Sequence, residues 1–129
     1  MSGYTVVNLK EVEDQAPNFG LSPDFEARFA RVALDAELIG LTYQRLAPNF
    51  QVPWGHTHKT QEEMFVVITG SMSVKVEDEI KELGPWDAIR VAKETRRGFE
   101  AGPEGVEFIA IGAPGGPGDA VNIEGFWEQ

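Results

Sequence analysis

Residues 55–70 read GHTHKTQEEMFVVITG. They hold the only two histidines of the chain, His56 and His58, followed by Glu62 and Glu63 and an apolar run closed by Gly70. On an extended strand, side chains alternate between faces, so His56 and His58 project the same way, roughly 7 Å apart along the chain. Glu63 comes five residues after His58, far enough for a turn and a return on the next strand. From there the alternation Glu63, Phe65, Val67 puts a carboxylate on the same face as large apolar residues. A carboxylate facing a core needs a partner, because burying it unpaired is expensive. A metal ion shared with two imidazoles is one such partner, and two histidines with one carboxylate suit Zn, Mn, Fe or Ni. A His-x-His pair taken alone is a weak signal, and Glu62 reads as a solvated neighbour facing away.

The rest of the chain bounds what this stretch can belong to. A length of 129 residues favours a single domain, and 42% apolar residues suffice for a core. With 21 acidic against 11 basic residues the formal charge is −10, which argues against nucleic acid or an anionic membrane as main partner. The absence of cysteine excludes disulfides, thiolate metal sites and cysteine nucleophiles. The opening MSGYTVVNLK has no signal-peptide pattern, and the longest apolar run, Met64 to Ile68, is too short to span a bilayer. A cytoplasmic protein is expected.

Glycine and proline punctuate the second half. Strand-like runs fall at Met64–Thr69, Met72–Glu77, Glu79–Leu83, Asp87–Ala92, Gly98–Ala101 and Val106–Ile111, separated by turn residues such as Gly70-Ser71 and Gly102-Pro103-Glu104-Gly105. Short strands at this spacing, without helices between them, predict an antiparallel all-β sandwich or barrel over residues 40–112. Residues 23–38 admit two readings. Ser22, Pro23, Asp24 and Glu26 form a good helix start, whereas the alternation Phe25, Ala27, Phe29 suits a strand from Phe25 to Arg31, with a short helical turn before a strand at Gly40–Ala47. Ala113 to Asp119, APGGPGD, has the composition of a flexible hinge. Beyond it, Val121, Ile123, Phe126 and Trp127 make an apolar tail at 120–129, docked either on its own domain or on a second subunit.

The spacing His56-x-His58-x4-Glu63-x6-Gly70 resembles the first motif of the cupin superfamily, small β-barrels in which the two histidines and the glutamate hold a metal. A glycine usual six residues before the first histidine is Phe50 here. The second motif of that family falls on GPWDAIRVAKETRRGFEAG, where Trp86, Ala92, Glu94, Arg97 and Ala101 replace the expected Gly, Pro, Gly, His and Asn. The resemblance implies a single-domain cupin-like antiparallel β-barrel or jelly roll, with at most a short helix in the N-terminal third. It also implies a divalent transition metal on His56, His58 and Glu63, and a homodimer.

Arg97 stands in the place of the fourth ligand. A guanidinium cannot ligate, because it stays protonated and only donates. Three outcomes are open: a three-ligand metal site with Arg97 facing an anionic ligand; a metal-free site in which Arg97 pairs with Glu63; or an arginine turned to solvent by a one-residue slip of register. Phe65, Phe99 and Trp54 are candidate walls of a small-molecule pocket together with Arg97. The expected function is therefore a small-molecule cupin, either a metal-dependent enzyme of oxygenase, isomerase or decarboxylase type or a non-catalytic binder.

Overall fold

The computed structural model describes residues 3–129 and is built of strands. They are β1 (Phe25–Phe29), β2 (Gly40–Leu46), β3 (Gly55–His58), β4 (Glu62–Val76), β5 (Glu79–Leu83), β6 (Ala88–Val91), β7 (Arg97–Ala113) and β8 (Ala120–Ile123). Helical structure among the described residues is confined to the single 3-10 turns Leu9–Glu11, Ala16–Phe19 and Phe126–Glu128. No described helix is long and apolar enough to cross a membrane.

The strands form one antiparallel sheet that curls into a barrel, in the order β1-β2-β7-β3-β8, with β4 also paired to β7 and carrying β5 and β6. The long strands β4 and β7 are its frame. They run together from Glu62↔Ala113 to Val76↔Arg97, with irregular register between Val67 and Met72. Four short runs expected from the sequence are thus two continuous strands. The glycines read as turns bend the ladder instead of reversing it. Gly70 has φ +76° and Gly105 φ +79°, a conformation open to glycine at little cost. The two meet so closely that a β-carbon on Gly70 would stand 2.0 Å from the Gly105 oxygen. Such bulges add curvature, which a closing sheet requires.

Between residues 23 and 38 the strand wins over the helix. Phe25 and Ala27 point inward and are buried, and β1 pairs with β2 from Phe25↔Leu46 to Phe29↔Thr42. That ladder and the burial of alternate residues outweigh a local helix-start signal. The core lies between the inner faces, with Phe65, Val67, Met72, Val74, Phe99, Val106 and Phe108 at its centre. Phe65, Phe99 and Phe108 meet with ring centroids 4.9, 5.6 and 6.3 Å apart.

The tail docks on its own domain. β8 pairs with β3 from Gly55↔Ile123 to His58↔Ala120. Phe126 is fully buried on Gly55 and Gly98, where an added β-carbon would come within 2.5 and 2.9 Å of its ring. Lys75 Nζ lies 4.4 Å from the centre of the Phe126 ring and donates to the Phe126 carbonyl at 2.6 Å. Trp127 Nε1 donates to the Val52 carbonyl at 3.0 Å.

Candidate metal centre and its cavity

β3 is short, and its alternation sends His56 and His58 into the barrel. Four residues later β4 begins, and Glu63, Phe65 and Val67 share its inner face, while Glu62 points out and is met by Arg90 at 3.1 Å. Glu63 Oε1 lies 3.0 Å from His58 Nε2 and 3.5 Å from His56 Nε2. One ligand atom from each of the three residues falls within 4.8 Å of the others. The two imidazoles stand edge to face, 5.1 Å between centroids.

Two of these atoms, His58 Nε2 and Glu63 Oε1, are buried and have no hydrogen bond of acceptable geometry. They are near each other yet out of line. Buried polar atoms are nearly always satisfied, so two orphans converging with a third nitrogen fit a cation-binding site, and the donor set of two imidazoles and one carboxylate suits a transition metal. Burial raises the Glu63 pKa, but the nearness of His56 and His58 outweighs it and holds it at about 2. Glu63 is therefore ionised at neutral pH. Burial lowers the His56 pKa, against the pull of Glu63, which favours the neutral, ligating form of the ring.

The cluster opens onto a cavity of about 710 Å³, lined at this end by His56, His58, Glu63 and Gln61. Its walls include Trp54, Phe65 and Phe99 together with Phe25, Phe29 and Leu41, and Thr42, Gln44, Asn122 and Arg31 supply polar groups. On β2 it is thus Thr42 and Gln44 that face the cavity. Tyr43 lies on the opposite face, where its hydroxyl donates to Glu107.

Arg97 is placed differently from a ligand-facing residue. It pairs with His56 across β3 and β7, its side chain is 0% exposed, and it is not among the residues lining the cavity. Its Nη2 donates to the Ala92 carbonyl at 2.9 Å, and Nη1 stands 4.0 Å from Glu63 Oε1. The guanidinium therefore sits behind the glutamate as a buried counter-charge, farther than a hydrogen bond, and it is neither in solvent nor in the pocket.

Asp119, at the end of the glycine-rich segment, was not singled out by any motif. Its carboxylate lies 3.0 Å from His58 Nδ1 and accepts from Thr60 N, Thr60 Oγ1 and Gln61 N at 3.0, 2.7 and 3.0 Å. Burial raises its pKa, but these contacts prevail and hold it at about 2. A carboxylate after a Pro-Gly turn beside a candidate ligand strand is the only signal the sequence offers, and 61 positions separate Asp119 from His58.

The chain matches the cupin domain family over residues 42–112, more than half its length, and belongs to that family. Among solved structures it resembles a cupin protein from Bacteroides fragilis, at 19% identity over 91% of this chain and 89% of that one, TM-score 0.72. It also resembles the polyketide cyclase RemF from Streptomyces resistomycificus, at 22% identity over 95% and 85%, TM-score 0.73. A third is oxalate decarboxylase from Bacillus subtilis, at 22% identity over 91% of this chain and 32% of that one, TM-score 0.74. At such identities the likeness is one of fold. A search of curated proteins finds no match.

Proposed function

We propose that the protein is a metal-dependent cupin enzyme acting on a small organic molecule held in the barrel cavity. His56, His58 and Glu63 hold the ion, one of Zn, Mn, Fe or Ni. The observation that carries this is the convergence of three ligand atoms at the wall of a roughly 710 Å³ cavity, two of them buried without partners. A metal so placed supplies Lewis-acid polarisation of a substrate oxygen or activation of oxygen, as oxygenase, isomerase or decarboxylase-type chemistry requires. The protein's own part is to bind and orient. Trp54, Phe65 and Phe99 receive the apolar body and exclude water. Gln44, Gln61 and Asn122 offer donors and acceptors to its polar groups. Arg97 stands behind Glu63 as a buried positive charge, with Nη1 4.0 Å from Oε1.

The test is metal analysis of protein purified without chelator or affinity metal. Near-stoichiometric metal, lost in His58→Ala, is the expected result. Protein that remains metal-free after exposure to Mn, Fe, Ni and Zn would overturn the proposal. That outcome would favour a second reading, a non-catalytic ligand-binding cupin in which Arg97 is paired to Glu63, for which the 4.0 Å approach of the two groups is the supporting observation.

A second copy of the chain is the proposed macromolecular partner. Met64 and Ile111, cross-strand neighbours, are 52% and 40% exposed on the outer face, an apolar pair that a homodimer would cover. A light-scattering mass near the 14.2 kDa of one chain would refute this. A cytoplasmic location completes the proposal and is checked by cell fractionation.

A further inference from the structure

His58 has two ring nitrogens, and only Nε2 faces the metal cluster. Nδ1 faces Asp119 Oδ2 at 3.0 Å. Oδ2 also accepts from Gln61 N, and Oδ1 accepts from both Thr60 N and Thr60 Oγ1. The backbone joins in, since Lys59 N donates to the Asp119 carbonyl at 3.0 Å. Residue 119 thus grips the whole turn, Lys59 to Gln61, that carries the chain from the two histidines on β3 to Glu63 on β4.

A carboxylate oxygen 3.0 Å from a ring nitrogen accepts from it, so the geometry places a hydrogen on Nδ1. Nε2 is then the nitrogen left to ligate an ion, and it stands 3.0 Å from Glu63 Oε1. Both atoms are buried without a hydrogen-bond partner, as are Nε and Nη1 of Arg97 behind them.

We propose that Asp119 is a positioning residue that locks His58 in the Nδ1–H form, presenting Nε2 to the cluster, while its clamp on Thr60 and Gln61 sets the spacing between the histidine strand and Glu63. This rests on the metal site proposed above, but one of its consequences is visible without metal. The experiment compares wild type, Asp119→Ala and Thr60→Ala. The ¹⁵N shifts of the His58 ring in metal-free protein read its tautomer, and competition titration with Zn²⁺ reads affinity.

Wild type is expected to carry a hydrogen on Nδ1. Asp119→Ala is expected to lose that preference and to bind Zn²⁺ about 10–100-fold more weakly, with an unchanged far-UV spectrum. Thr60→Ala, which removes one contact to the clamp and none to His58, is expected to keep the tautomer and to stay within about threefold of wild type. An Nε2–H His58 with a bare Nδ1 in wild type would overturn the proposal. So would a loss of affinity in Thr60→Ala as large as in Asp119→Ala, because Asp119 would then act only as a turn clamp. If Asp119→Ala does not fold, Asp119→Asn takes its place. It keeps the size but replaces an acceptor-only group with one that also donates, and a loss of about tenfold is expected; undiminished affinity would overturn the proposal. If wild type binds no Zn²⁺, the metal reading fails, while the tautomer still decides the role of Asp119.

Discussion

Phe126 seals the back of the strand pair that carries His56 and Arg97, and the seal depends on two glycines. A β-carbon at Gly98 would stand 2.9 and 3.2 Å from Phe126 ring carbons and 3.3 Å from Trp127 Nε1, where ordinary carbon contact begins near about 3.5 Å. Every close atom belongs to the tail. A β-carbon at Gly55 would meet the same ring at 2.5 Å but also the Arg97 carbonyl oxygen, which is backbone, at 2.9 Å. Overpacking of this kind costs about 1–3 kcal/mol, and truncating a fully buried phenylalanine to alanine about 3–5 kcal/mol. The two glycines should therefore respond differently to loss of the ring. In a Phe126→Ala background, Gly98→Ala loses its closest clashes and should become neutral or stabilising by about 0.5 kcal/mol, since alanine is favoured over glycine in a strand. Gly55→Ala should keep part of its cost in that background, because the carbonyl remains. Urea denaturation followed by tryptophan fluorescence gives the double-mutant cycles, with Phe126→Leu in reserve if Phe126→Ala is too unstable to measure. If Gly98→Ala costs the same in both backgrounds, Phe126 is not what its methyl meets, and the account of the seal is wrong.

Three further outcomes are expected. Gly70→Ala should cost at least about 2 kcal/mol, because it combines a left-handed backbone with a β-carbon 2.0 Å from the Gly105 oxygen; a thermal or urea midpoint unchanged from wild type would contradict the bulge geometry. Arg97→Lys should lose about 2 kcal/mol in chemical denaturation, since a lysine cannot reproduce the fork that reaches the Ala92 carbonyl from a buried position, and a neutral result would dismiss that contact. For Glu26, burial raises the pKa but hydrogen bonds from Arg45 and Arg28 prevail and lower it below its ordinary 4.5. Its stabilising effect is therefore present above that value and is lost as pH falls through the lowered one. Glu26→Gln should be about 1 kcal/mol less stable than wild type at pH 7, and a gap that widens rather than closes toward pH 3 would refute the sign.

What could be read in the sequence followed the reach of each signal. His56, His58, Glu63 and Phe65 were legible because strand alternation is local and their spacing is short. The stretch from Phe25 to Phe29 was ambiguous for the opposite reason: its ladder partners, Thr42 to Leu46, lie beyond a loop, and only pairing decides between helix and strand. Gly70 and Gly105 carried the composition of turns, yet their role is set by the opposing strand, which local composition does not encode. Arg97 could be aligned with a ligand position, but whether its side chain enters the cavity or passes behind Glu63 depends on how Val91 and Ala92 present their carbonyls. Asp119 was invisible, since its meaning arises only when residues 59–61 are folded against it.

The dependence of β3 on β8 also fixes an order of events during synthesis. A growing chain that has reached residue 112 already contains both histidines, Glu63 and all the residues matched to the family. It lacks the strand that pairs with His56 and His58, the carboxylate facing His58, and the ring that covers Gly55 and Gly98. Translation thus delivers the long frame strands before the residues that complete the face carrying His56 and His58.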